Sequence, residues 1–144
     1  MVLSGVGALS ASLEDYLEAI LQLERASRVA RVSEIAELLH VSRPSVTGAL
    51  KILTGRGLAV HARYGHVTLT ESGERIAEDV KRRHVAIRDF LTGVLGIPLD
   101  QAETAACRME HVLDAEVLAR FVAHAEGRAA ADSLGRNPTN GSTA

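Results

Sequence analysis

The stretch "CRMEHVLDAEV", residues 107–117, puts a thiol, a carboxylate and an imidazole close together. Cys107, Glu110 and His111 stand at i, i+3 and i+4, so on a helix all three project from one face. Thiolate, carboxylate and imidazole are all metal ligands, and together they suit a late first-row divalent ion. Read alone, the triplet has a plainer alternative, a small buried cysteine beside an exposed Glu and His. A nucleophile–base pair of Cys107 and His111 is the poorer reading. Neighbours at i, i+4 on a helix seldom combine attack geometry with an oxyanion hole, and no third orienting group is evident.

Two other groups carry the same chemistry. Asp15 and Glu18 give carboxylates at i, i+3 in "SLEDYLEAI", where the alternative is a helix cap and a solvated face. His84 lies in "KRRHVAIRDF", where the alternative is a basic surface patch from Lys81 to His84. Each plain reading is easy by itself. Three helices packed together could instead bring all these groups to one centre.

The elements that must position them follow from periodicity. In "SLEDYLEAILQLER", Leu13, Tyr16, Leu17, Ile20 and Leu21 fall at helical spacing, and Ser12 with Asp15 forms a candidate capping box. Ser33 is a candidate cap for a short helix with Ile35, Leu38 and Leu39 inward, followed by a tight turn at His40 and Val41. Ser42 caps a second helix with Pro44 in its first turn, where a missing N–H costs nothing. Val46, Leu50 and Leu53 form its buried row, and Gly55 and Gly57 end it. Two strands are expected over 58–62 and 66–70, with Leu58, Val60 and Ala62 inward and Val67 and Leu69 likewise. A long helix capped by Thr70 comes next, then helices over 99–113 and 114–127, the latter capped by Asp114. The polar, Gly-, Pro- and Ser-containing end is expected to be disordered.

A short helix, a tight turn, a second helix and a two-strand hairpin make a winged helix-turn-helix, whose second helix can lie in the DNA major groove. Arg43, Ser45, Thr47, Gly48 and Lys51 form its exposed row. Arg43 suits a guanine or a phosphate, Ser45 and Thr47 are small donors beside Pro44, and Lys51 is placed for phosphate. The wing offers Arg63, with His61 and His66 nearby. Charge agrees: from Arg25 to Thr70 there are seven basic residues and two acidic ones, although the whole chain carries −2. The alternative is a protein–protein module of the same shape.

The 144 residues are 47% hydrophobic and 24% charged, a globular composition. Without an apolar run of about 18 residues, no membrane span is expected. The start, "MVLSGVGALSAS", lacks the basic and apolar regions of a signal peptide. One cysteine allows no internal disulfide and fits a reducing cytoplasm. Scarce aromatics argue against a single-strand stacking platform.

"SLEDYLEAI", "VSEIAELLHVSRPSVTGALKILTGRGLAV", "LTESGERIAEDVKRRH" and "CRMEHVLDAEV", in that order, resemble the diphtheria toxin repressor and manganese transport regulator family of metal-dependent repressors, over roughly residues 12–127. The resemblance implies a mainly α fold: a winged helix-turn-helix over 1–75, a helical metal-binding and dimerisation domain over 76–130, and a tail over 131–144. It implies a homodimer that binds double-stranded operator DNA and represses metal-uptake genes when metal is plentiful. Asp15, Glu18, His84, Cys107, Glu110 and His111 match the family's ligand positions. Asp15 and Glu18 resemble the manganese regulators, whereas Cys107 in "ACRMEH" resembles the iron regulators. The iron regulators' ancillary site has a Glu four residues after the histidine, and Arg88 departs from that pattern. The chain looks like the two-domain form, lacking an SH3-like domain. Thiolate favours Fe²⁺ over the harder Mn²⁺, which is the alternative; six ligands could serve one or two ions per subunit. A metal-independent winged-helix repressor would leave the ligand set unexplained.

Overall fold

The computed structural model describes residues 9–135, with side chains through Arg128. Its elements run α1 (Ala11–Ser27), β1 (Ala30–Arg31), α2 (Val32–Leu39), α3 (Arg43–Gly55), β2 (Ala59–His61), β3 (His66–Leu69), α4 (Glu71–Gly93), α5 (Leu99–Val112) and α6 (Ala115–Gly135). The fold is mainly helical with one small antiparallel sheet, ordered β1-β3-β2. The chain divides into two compact units, 1–81 and 82–144, and the division falls within α4. Among the described residues, no helix is long and apolar enough to cross a membrane.

The first unit is a winged helix-turn-helix. Its core joins Leu17, Ile20 and Leu21 of α1 to Ile35 of α2, Val46, Leu50 and Leu53 of α3, and Val67 of β3, all essentially without solvent contact. These side chains recur at helical spacing because only one stripe of each helix is apolar. The turn between α2 and α3 passes through His40 in the left-handed region, φ 55°, and the Val41 N–H bonds back to the Ala36 carbonyl at 3.0 Å. Ser42 then caps α3, its Oγ accepting from the Ser45 N–H at 3.2 Å, with Pro44 in the first turn. Glu24 of α1 reaches β3 and accepts the Leu69 N–H at 2.7 Å. Burial, the larger effect, raises its pKa, and that hydrogen bond opposes the rise.

The second unit packs Ile87 and Leu91 of α4 against Ala102 and Ala106 of α5 and Leu118 of α6. Ala102 and Ala106 are fully buried, and their small side chains let α5 come close to its neighbours. Phe90 and Phe121 meet edge to face at 5.3 Å.

Several local expectations are corrected. The cap of α1 is Ser10, in extended backbone and accepting from the Leu13 N–H at 3.2 Å, so Ser12 and Asp15 lie inside the helix. Ser33 also lies inside its helix, because α2 follows β1 directly. The Glu34 carboxylate accepts the Arg31 N–H at 3.1 Å instead. Leu38 is 37% exposed. Strand β1 was not expected; Ala30 and Arg31 pair with Val67 and His66. In β2 the faces are reversed: Ala59 is buried, while Val60 and Ala62 are exposed. Leu58, just before β2, is buried as expected; it follows Gly57, φ +71°, and its N–H bonds to the Leu53 carbonyl at the end of α3. A shift of one residue exchanges the two faces of a strand. Helix α6 runs on to Gly135, past the expected end at Gly127 and into the expected tail. The rest of that tail lies outside the described residues.

The start of α4 is fitted tightly to the end of α3. Thr70 caps it, its Oγ1 accepting from the Gly73 N–H at 3.1 Å, and the Thr70 N–H bonds to the Leu58 carbonyl. A Cβ on Gly73 would lie 1.9 Å from that carbonyl oxygen, whereas one on Gly48, in mid-α3, would meet nothing within 4 Å. Gly73→Ala is therefore expected to destabilise the protein by about 1–3 kcal/mol, and Gly48→Ala to stabilise it by about 0.5–1 kcal/mol. Urea unfolding of both variants checks this; equal stability for the two would refute the close fit.

Candidate functional site

On α5, Cys107, Glu110 and His111 fall on one face as their spacing requires, and their ligand atoms lie within 4.8 Å of one another. The burial pattern is the reverse of the plain reading. Cys107 is exposed, Glu110 is 3% exposed, and His111 is mostly buried. Helix α4 adds His84, whose Nδ1 lies 3.4 Å from one Glu110 oxygen, while His111 Nε2 lies 3.2 Å from the other. The carboxylate of Glu110 thus sits between two imidazoles. Both its oxygens, and Nδ1 of His84, are buried and make no hydrogen bond among the described residues.

A buried carboxylate without hydrogen bonds is costly unless a positive charge compensates it. Two agents can do so here. One is a proton on His84. The Glu110 carboxylate, and Glu103 with it, favours the imidazolium against the opposing effect of burial, and the His84 pKa is raised to about 9. The other is a cation, for which two imidazoles, a carboxylate and a thiol are suitable donors. The orphaned oxygens of Glu110 and this donor set fit a divalent metal ion.

Glu103, on α5, was not singled out in the sequence. Its Oε2 lies 2.6 Å from His84 Nε2, and its Oε1 accepts from Arg88 Nη1 at 2.9 Å. Burial would raise its pKa, but Arg88 and His84 outweigh that and hold it below the ordinary carboxylate range. Its signal was available: 103, 107, 110 and 111 are i, i+4, i+7 and i+8, one helical stripe.

Asp15 and Glu18 lie one turn apart on α1, both half-buried, and belong to the first unit. On α3, Arg43, Pro44, Ser45, Thr47, Gly48 and Lys51 are all exposed. The Ser45 and Ser42 hydroxyls are 2.8 Å apart, and the Thr47 hydroxyl donates to the Arg43 carbonyl at 3.1 Å. Arg63 is exposed in the turn between β2 and β3, beside Tyr64, which is 90% exposed. The turn closes through Gly65, φ +82°.

Residues 8–67 match the family described as iron dependent repressor, N-terminal DNA binding domain. Residues 70–130 match iron dependent repressor, metal binding and dimerisation domain. An HTH-type transcriptional regulator of Methanocaldococcus jannaschii is 36% identical over 114 residues, 78% of this chain and 91% of that protein. The transcriptional regulator MntR of Escherichia coli O157:H7 is 37% identical over 109 residues, 76% of this chain and 70% of MntR. The crystal structure of T. acidophilum IdeR is similar with a TM-score of 0.70 at 28% identity, over 83% of this chain and 55% of that one. The chain thus matches about half the length of that IdeR.

A group whose pKa is raised on folding stabilises the fold fully below its unfolded pKa and loses that contribution as pH rises through the folded value. For His84 the window runs from 6.5 to about 9. Without metal, the melting temperature is expected to fall across this window, and His84→Gln is expected to flatten that part of the profile. Thermal melts of both proteins in chelator check it; identical profiles would show that the His84–Glu110 pair contributes nothing.

Proposed function

Because the chain belongs to the iron-dependent repressor family, a family of transcriptional regulators, we propose that it represses metal-uptake genes in the cytoplasm, binding operator DNA as a homodimer when loaded with a divalent metal ion. The observation that carries the metal reading is Glu110, buried and without a hydrogen bond between His84 and His111, with Cys107 beside it.

His84, Cys107, Glu110 and His111 are the proposed ligands from the second unit, and Asp15 and Glu18 those from α1. When bound, the ion supplies a positive charge that links its ligands. With ligands drawn from both units, loading couples the DNA-reading unit to the dimerising one. A ligand shifts such an equilibrium only by binding one state more tightly than the other. Fe²⁺ is the proposed ion, because a thiolate is a soft donor; Mn²⁺ is the second reading, supported by the carboxylates of Asp15, Glu18 and Glu110. Dimerisation through the second unit is supported by Leu95, Leu99 and Val112, apolar side chains that are 57%, 61% and 77% exposed.

For DNA, α3 is proposed to enter the major groove. Arg43 would meet a base edge or a phosphate, Ser45 and Thr47 would allow close approach, Lys51 would meet phosphate, and Arg63 would reach the backbone from the wing. Pro44 is exposed beside them in the first turn and has no N–H to offer.

Metal-dependent DNA binding is the expected behaviour. A duplex selected from a random pool by the metal-loaded protein should bind at least about tenfold more weakly in chelator than in anaerobic Fe²⁺ or Mn²⁺. Arg43→Ala should cost about 1–3 kcal/mol of that affinity and leave metal binding unchanged. A gel shift decides it: equal affinity with and without metal would sink the switch.

Cys107→Asp replaces the soft donor with a hard one. Activation should then shift from Fe²⁺ towards Mn²⁺, with the DNA affinity of the fully loaded protein close to the parent's. Anaerobic titration of parent and variant with both metals measures the ratio, and an unchanged ratio would remove Cys107 from the ligand set.

A further inference from the structure

We propose that Glu103, itself held by Arg88, is a positioning residue that sets the ring of His84 so that Nδ1 is the nitrogen presented to a metal ion. This rests on His84 being a ligand, as in the function proposed above.

The geometry forms a chain of three side chains within the second unit. Arg88 Nη1 donates to one Glu103 oxygen at 2.9 Å, and the other Glu103 oxygen faces His84 Nε2 at 2.6 Å. On the far side of the ring, Nδ1 is buried, makes no hydrogen bond and lies 3.4 Å from Glu110. An imidazole that keeps its proton on Nε2, donated to Glu103, has its lone pair on Nδ1. A histidine that binds metal through one nitrogen characteristically donates its other N–H to a carboxylate, which fixes both tautomer and ring orientation.

The rest of the arrangement serves that one contact. His84 and Arg88 are one turn apart on α4, so both can address a single residue of α5. That residue is one turn before Cys107, on the stripe that carries the candidate ligands. The packing of Ile87 and Leu91 against Ala102 and Ala106 fixes the spacing of the two helices. Arg88 holds the carboxylate through a charged, planar donor fork that loses little freedom on binding. A second fork nitrogen, Nε, bonds Asp89 at 3.1 Å, which pins the guanidinium from its other edge.

An ordinary ion pair between two helices would show the same distances. It would stabilise the folded unit without affecting how metal is held, and the experiment separates the two. Zn²⁺, a diamagnetic probe, is titrated into the full chain, and its affinity is read by competition with a chelating dye. The ¹⁵N signals of the His84 ring in the loaded protein report which nitrogen carries the proton. Glu103→Gln keeps size and fold but loses the charge, and Arg88→Leu removes the anchor. Glu103→Gln is expected to weaken Zn²⁺ by about 10–100-fold and Arg88→Leu to weaken it less. In Glu103→Gln the single Nε2–H state of His84 should give way to a mixture.

His84→Ala serves as the reference. If it loses affinity while Glu103→Gln and Arg88→Leu match the parent in affinity and ring state, the positioning role is overturned and the ligand reading stands. If His84→Ala binds Zn²⁺ as the parent does, His84 is not a ligand and both fall.

Discussion

One buried carboxylate constrains the second unit. Glu110 is 3% exposed, and neither of its oxygens is hydrogen-bonded among the described residues. Leaving such a charge uncompensated costs several kcal/mol. The neighbours are arranged accordingly: one imidazole at each oxygen, His84 from α4 and His111 from α5 itself. A proton on His84 meets the need in part, and a metal ion would meet it more fully. In the proposed metal site, proton and metal would compete for an imidazole nitrogen, which would tie metal affinity to pH in a way that an exposed acidic cluster would not.

Among the described residues of the first unit, no buried side-chain polar atom lacks a hydrogen bond. Its core is apolar, α3 is capped by Ser42, and the exposed row of α3 consists of side chains that are stable in water. Nothing in the formation of α3 waits for a ligand. The proposed metal switch would then act on something other than the folding of the reading helix.

Much of the architecture was legible because it rests on period and punctuation. The stripe Val46, Leu50 and Leu53, the Ser42 cap and the Thr70 cap are local features, and all of them stand in the structure. Failures came where a partner distant in sequence decides. Strand β1 is two residues long and exists only because β3 lies beside it. In β2 the buried residue is Ala59 and not Val60, and a one-residue difference in register exchanges the faces of a strand. At the site, ligand types and spacing pointed to Cys107, Glu110 and His111, but their burial is a tertiary property. The exposed thiol and buried carboxylate therefore came out opposite to the plain reading. Glu103 was missed because, in sequence, it is one acid among many; its meaning comes from His84 and Arg88, 19 and 15 residues away.

The same network bears on how many ions a subunit holds. Six candidate ligands could divide between two ions, and a second ion would need donors beyond those around Glu110. Glu103 is a further carboxylate beside His84, but each of its oxygens already faces a partner, one of them the guanidinium of Arg88. Arg88 is a fixed positive charge one turn along α4 from His84. A second divalent ion near Glu103 would have to displace that guanidinium or sit beside it, and like charges at such distances repel. The position at which the iron regulators have a carboxylate is here filled by a built-in cation. In the proposed reading, that substitution disfavours an ion at Glu103, with the charge of Arg88 directed to holding that carboxylate in place.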